Sequence, residues 1–420
     1  MKRLQILTCA FTCCPPGNPG FAGGEDVLGW NLIRQIARFH EVWTIAQEED
    51  RESIERALTE EETTNLHFLY VDMPGWLHPM LNYQGTHQLY YYLWQVKAYF
   101  AARKLSKKIK FDLFQHITYS NDWMVSFIGA LLPVPYIRGP GGGAHRTPKG
   151  FQGEYPIGGR IWEAIRSVGQ RLFRMDPLFR KGQRRAKAIL VCNAESMDNI
   201  PKKWADKTHM FPINGISTED LETADSMDAQ HDGFRVVTAG TLLRIKGFGL
   251  GIRAFKLLAD HHDDAEFNII GGGPEEPRLR DLVDRLGLQS KVHFLNSLPR
   301  DGVIAAIANS DVFLFPSLRD GGGAVVVEAM SAGKPVVCLD NGGPGMFVTE
   351  ESGIKIAPTS PDGAVLELSE ALERLYQDED WRRKLGKGAR ERAEKEFHWD
   401  SLGQRLMEIY HGALNSDDAK

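Results

Sequence analysis

Apolar residues come along this chain in short runs rich in Val, Ile, Leu and Phe, and between the runs they recur at three- and four-residue spacing. The runs read as strands: LQILTCAF, EVWTIA, LHFLYV, DLFQHIT, PYIRG and AILVCN in the first half, then FRVVTAG, NIIGGG, KVHFLN, DVFLFPS, KPVVCLD and GIKIA in the second. The stretches between them read as helices. A first one covers Asp26–Phe39, where Val27, Trp30, Leu32, Ile33, Ile36 and Ala37 keep near-helical spacing behind a glycine turn at Gly23-Gly24. Others cover Phe248–Ala259, Arg278–Leu286 and, at the end of the chain, Asp400–Leu414. Strand and helix alternating in this way predict parallel sheets covered by helices.

The alternation is interrupted once, by the polar, acidic stretch Asp220–Gly233, and restarts at Phe234. A chain of 420 residues also exceeds what one core organises. We therefore expect an α/β protein of two Rossmann-like, doubly wound domains facing a cleft: 1–215, 216–399, and a terminal helix 400–414 packing back on the first. In such sheets ligands bind beyond the carboxyl ends of the strands, so the strand-to-helix loops carry the chemistry.

Composition narrows the function classes. An apolar share of 42% and a charged share of 25% suit a soluble globular protein. A net charge of −5 provides no broad basic field for nucleic acid. Cys9, Cys13, Cys14, Cys192 and Cys338 have neither metal-knuckle nor disulfide spacing, which points to a reducing compartment. The opening MKRLQILTCAF runs into Pro15-Pro16-Gly17 and so reads as a strand, not a signal peptide. No run approaches the about 18 apolar residues of a spanning helix. A cytoplasmic protein is expected, with peripheral contact at the inner face of a membrane left open.

Three loops stand out. Gly240-Thr241-Leu242-Leu243-Arg244-Ile245-Lys246-Gly247 follows a strand and precedes a helix, placing Arg244 and Lys246 where bound phosphates would sit; an ordinary solvated loop would use similar residues. Gly271-Gly272-Gly273-Pro274-Glu275 closes another strand with glycines that allow a ligand close to the backbone, although a simple turn does the same. It is not GxGxxG, and no acidic residue follows at the distance a dinucleotide site needs. In the third, Asp320-Gly321-Gly322-Gly323-Ala324 leads into a helix that holds Glu328 among Val325, Val326, Val327, Ala329 and Met330. Amides at that helix start suit anions and hydroxyls. A carboxylate at Glu328 needs a partner, either the hydroxyls of a ribose or a cation of the protein.

Taken together, in this order and spacing, the three loops resemble the donor half of retaining glycosyltransferases of family 4, the glycosyl transferases group 1 with the GT-B fold. GGGPEEPRLRDLVDRLGLQSKVHFLNSLPR is similar to the family's Gly-Pro-Glu turn, helix and strand, and AKAILVCNAESMDNI and FPINGIST resemble the end of its first domain. The resemblance implies that Lys246 grips the donor diphosphate and that Glu328 is the second carboxylate of the family's E-x7-E pair, on the donor ribose. Asp320 stands where the first glutamate is usual, and the amides of Gly321, Gly322, Gly323 and Ala324 would meet sugar and phosphates. Gly273 belongs to the donor loop, and Val292 to Phe294 would line the base pocket. Thr241 replaces the arginine that forms the family's second diphosphate clamp, and Arg244 is the nearest substitute. In the first half, Gly23 and Gly24 match the glycine loop that reaches donor phosphate and acceptor. His116 matches a histidine facing the donor sugar. Gly142, Gly143 and His145, in a glycine-rich loop, would shape the acceptor side.

Lys246, Asp320 and His116 are thus the catalytic candidates. No cofactor or metal is implied: the nucleotide-diphosphate sugar is a substrate, side-chain cations replace a metal, and no DxD pair is placed to hold one. The acceptor would be a saccharide or a lipid-linked sugar, as in polysaccharide biosynthesis. Tyr90–Lys110 and Ile161–Arg185 mix aromatic with basic residues and could touch a membrane, or be ordinary helices with one face buried. A GT-B nucleotide-sugar epimerase and a non-catalytic nucleotide-sugar binder are the competing readings.

Overall fold

The computed structural model describes residues 3–18, 23–59, 62, 64–82, 84–143, 145–154, 157–226 and 231–415. It divides into two compact units, one formed by Met1–Ala144, Ala164–Ile213 and Trp399–Lys420, the other by His145–Glu163 and Asn214–His398.

The first unit is built on seven parallel strands in the order β3-β2-β1-β4-β5-β6-β7. They are β1 (Gln5–Cys9), β2 (Glu41–Gln47), β3 (Leu66–Val71), β4 (Leu113–His116), β5 (Tyr136–Gly141), β6 (Ala186–Val191) and β7 (Thr208–Met210). β1 is apolar on both sides because both faces of its sheet are covered. Ile6 enters one core with Leu28, Leu32 and Ile36 of the helix Gly24–Ala37. Leu7 and Cys9 enter another with Tyr91, Trp94 and Ala98 of the helix Gln84–Leu105. The three-residue edge strand β7 has no apolar alternation and is not predicted by the sequence pattern.

The helix Trp399–Asn415 completes this unit. Leu402, Leu406 and Tyr410 are buried in the core that β1 shares with Gly24–Ala37. Gln35 Nε2 donates to Asp400 Oδ1 at 2.9 Å, and the Tyr410 hydroxyl is hydrogen-bonded to the Gln115 side chain. Apolar side chains buried this fully contribute roughly 1.5–3 kcal/mol each.

The second unit has six parallel strands in the order β10-β9-β8-β11-β12-β13. They are β8 (Phe234–Ala239), β9 (Ala265–Ile270), β10 (Val292–Phe294), β11 (Val312–Phe315), β12 (Val336–Leu339) and β13 (Gly353–Ile356). Successive residues again go to opposite faces: Val236, Leu314 and Val337 to one core, Val237, Phe313 and Val336 to the other. Strand order reverses between β8 and β11, as it does between β1 and β4 in the first sheet. Such a reversal opens a crevice at the carboxyl ends of the two central strands, the usual ligand position in this architecture.

One boundary is corrected. The sequence reading drew 1–215 as a single domain, but His145–Glu163 groups with the second unit. Phe151 is fully buried in the core of Phe248, Leu250 and Ile356, and Gly150 lies so close to the Thr359 carbonyl that a Cβ would come within 2.4 Å of it. The segment follows β5 in the chain, and only packing reveals which core it completes.

Candidate functional site

The loops that follow β8, β9, β11 and β12 meet at one end of the second sheet. After β8, a 3-10 turn at Arg244–Lys246 ends on Gly247 at φ 67°, just ahead of the helix Phe248–Ala259. Glycine is required there, because a Cβ would lie 2.0 Å from the Pro316 carbonyl oxygen of the loop after β11. The two loops are further joined through Ile245, whose carbonyl accepts from the Leu318 amide at 2.9 Å and the Arg319 amide at 3.2 Å.

This contact sets Lys246 beside Asp320. The Lys246 ammonium forms an ion pair with Asp320 Oδ2, while Oδ1 accepts from the amides of Gly322 at 3.2 Å and Gly323 at 2.8 Å. Burial alone would raise the Asp320 carboxyl; Lys246 and the two amides overcome it and hold the group below the usual carboxylate range. Asp320 is therefore a fixed anion. Gly323 caps the helix Ala324–Ser331, and the loop after β12 backs the arrangement: the Gly343 amide donates to the Asp320 carbonyl at 3.0 Å. The ring of His145 lies against Gly321, with Cε1 3.0 Å from where a Cβ would project.

Glu328 is paired within the protein. Arg300 Nε donates to its Oε1 at 2.9 Å, and Arg300 also pairs with Asp220 at 2.8 Å. Burial pushes the Glu328 carboxyl above its usual range against the pull of Arg300. Of the two partners the sequence left open for this buried carboxylate, the protein's own cation is present. Arg300 and Asp220 were not singled out from sequence. The one signal for them was the need of Glu328 for a partner, and that signal names no position.

The loop after β9 is bonded to the loop after β8. The Leu242 amide donates to the Gly272 carbonyl and the Glu275 amide to the Leu242 carbonyl, each at 3.0 Å, which fixes Gly273 against Leu242. Arg244 does not stand free as a phosphate clamp. Its guanidinium lies 3.3 Å from Glu275, which Arg278 approaches to 2.6 Å. Thr241 is exposed.

Other sequence-based assignments fare differently. Val292 is 5% exposed and belongs to the core; Phe294 is half-buried with the Arg280 guanidinium 4.3 Å from its ring centroid. His145 groups with the second unit, where its ring touches Gly321. His116 does not face an open site. Its ring is 3% exposed with Nε2 2.8 Å from the Tyr91 hydroxyl, and burial, helped by Arg138, lowers its pKa to about 3. Gly23 and Gly24 open the helix Gly24–Ala37, with nothing within 4 Å of where either Cβ would be. Gly142 packs on Cys192, and the Gly143 carbonyl accepts from Gln170 at 3.0 Å.

Residues 222–392 match the family model described as glycosyl transferases group 1. The second unit is a group 1 glycosyltransferase domain. Over 337 residues, 76% of this chain and 81% of its relative, the sequence is 26% identical to an uncharacterized glycosyltransferase of Methanocaldococcus jannaschii. The whole fold is that of sucrose-phosphate synthase from Thermosynechococcus elongatus, with a TM-score of 0.67 at 17% identity over 99% of this chain and 100% of that one. It is also that of the Anabaena protein HepE in complex with UDP-glucose, with a TM-score of 0.61 at 17% identity over 97% and 100% of the two chains. These are GT-B glycosyltransferase structures, and the Lys246–Asp320 pair of this chain lies in the loops that follow β8 and β11, where strand order reverses in the second sheet.

Proposed function

We propose that this glycosyltransferase moves a hexose-type sugar, with retention and without a metal ion, from a nucleoside diphosphate donor to a saccharide or lipid-linked acceptor. The observation that carries this reading is the ammonium of Lys246, held by Asp320 beside the amides that begin the helix Ala324–Ser331. When the bond between sugar and diphosphate breaks, negative charge grows on the departing phosphate oxygen. A preorganised cation and aligned amides stabilise that charge most where water is excluded. A divalent ion would do the same work by charge, so Lys246 supports a reaction without one.

Asp320 positions Lys246 and, as an ionised acceptor, can bind a sugar hydroxyl; it is not built to give up a proton. The UDP-glucose bound by HepE supports a nucleotide sugar as donor. Arg244 is the second cation within the same loop, and its use on the diphosphate would exchange part of its bond to Glu275 for the ligand.

The test is a thermal-shift series with UDP, GDP, ADP and their sugars, with and without EDTA, followed by NMR assignment of the anomer in any product. A ligand bound only by the folded state raises the melting temperature by mass action. No shift with any nucleoside diphosphate would sink the donor reading, and an inverted anomer the retaining one. Epimerisation of donor without acceptor would identify an epimerase, and binding without turnover a carrier. If Arg244→Ala leaves donor KM and kcat unchanged, that residue is not the missing clamp.

A further inference from the structure

The helix Ile157–Phe173 presents an apolar stripe to solvent. Within the part of the helix that belongs to the first unit, Ile165, Val168 and Leu172 follow one another at three- and four-residue intervals and are 57%, 54% and 62% exposed. At roughly 100° per residue these positions share one line along the helix, with Arg171 on its shoulder. Met175, just past the helix end, continues the exposed apolar surface at 61%. Scattered apolar residues are normal on a protein surface; a continuous helical stripe is not.

What surrounds the stripe indicates its partner. Residues 157–185 hold eight Lys and Arg against two Asp and Glu, within a chain whose net charge is −5. Beyond the stripe, the helix Pro177–Arg185 exposes Arg180 and Arg184, which with Arg174, Lys203 and Trp204 line a hollow of about 480 Å³. An apolar line flanked by arginines, with tryptophan at its margin and a cationic hollow beside it, matches the layers of a membrane surface: acyl chains, interface and phosphate. Among the described residues no helix is long and apolar enough to cross a bilayer, so this helix would lie in the plane of the interface.

We propose that the first unit's stripe of Ile165, Val168 and Leu172 and the basic hollow beside it dock this protein on an anionic phospholipid bilayer, with these three side chains and Met175 in the interface and Arg180 and Arg184 on lipid phosphates. This does not depend on the donor chemistry and would hold for a soluble acceptor as well. Basic clusters next to interfacial helices gain most of their affinity from anionic headgroups and lose it as salt screens them.

The test is flotation of the full chain with vesicles of phosphatidylcholine alone or mixed with phosphatidylglycerol, at low and high salt. The protein is expected to float with the mixed vesicles, less so at high salt, and not with phosphatidylcholine alone. The double substitution Ile165→Asp with Leu172→Asp should lower binding about tenfold or more, since each removes an apolar anchor and adds a repelled charge. Arg180→Glu with Arg184→Glu should remove the salt-sensitive part. All four side chains are exposed, so circular dichroism and melting temperature should match the parent and separate lost docking from lost folding. The proposal is overturned if the parent does not bind mixed vesicles, or binds neutral ones equally well. It is also overturned if the stripe variant binds as the parent does while inorganic phosphate competes binding away, which marks a free-phosphate site. Conversion of a parent dimer to a monomer by the stripe variant, with vesicle binding unchanged, would assign the face to a second copy instead.

Discussion

His116 and Lys246 show how one side chain's surroundings choose its chemistry. His116 is held neutral, with its pKa lowered to about 3 by burial and by Arg138. In the unfolded chain it would take up a proton near pH 6.5. Between those values the unfolded state binds the extra proton, so stability is full above about pH 6.5 and falls as the pH drops, by at most about 1.4 kcal/mol per pH unit from this group. Urea unfolding at pH 7 and pH 5 should show that loss in the parent and a smaller one in His116→Gln; equal losses would mean the ring is not buried as described. Lys246→Met keeps most of the aliphatic stem but leaves Asp320, 13% exposed, paired with two amides alone. Removing one partner of a buried pair costs about 3–5 kcal/mol. The variant should therefore melt earlier and also lose the shift produced by UDP, GDP or ADP; a retained shift would take Lys246 out of the donor site.

Whole elements are held in register by contacts that no single helix or strand supplies. Arg300, on the helix Arg300–Ala308, joins Asp220 of the helix Thr218–Asp225 to Glu328 of Ala324–Ser331. Arg300→Met strands two buried carboxylates and is expected to cost about 3 kcal/mol or more, whereas Arg300→Met with Glu328→Met should recover part of that loss. A double-mutant cycle measures it, and additive losses would show that the triad is not coupled. The loop that carries Asp320 depends on an equally local fit. Gly342 sits at φ 57°, and a Cβ there would meet the Asp320 carbonyl oxygen at 2.0 Å. Gly342→Ala should shift Asp320 and weaken nucleotide binding by more than its loss of stability explains, which calorimetry at matched folded fraction would resolve.

For the molecule as a whole, the terminal helix Trp399–Asn415 belongs to the first unit although the second unit lies between them in the chain. Leu402, Leu406 and Tyr410 fill a core that Leu28 and Leu32 would otherwise expose. A chain ending at His398 should then show aggregation and loss of the cooperative transition in the first unit, while the second keeps its nucleotide-induced shift. Retention of both transitions with unchanged midpoints would mean that the helix is an accessory.

Much of this was open to the sequence because its signals are short-range. Among the described residues, twelve of the thirteen strands announce themselves as apolar runs, since a sheet covered on both faces admits few polar residues. Lys246, Asp320 and Gly321–Gly323 could be named because each sits in a strand-to-helix loop with unusual composition. What the sequence could not decide depends on which distant segments meet. It could not give Arg300 to Glu328, turn Arg244 toward Glu275, bury His116 under Tyr91 or send 145–163 to the second core. It could mark the aromatic and basic residues of Ile161–Arg185 but not say whether their apolar face was covered. Periodicity records that a face is apolar, and only the packing of other elements determines whether that face is inside the protein or left for a partner.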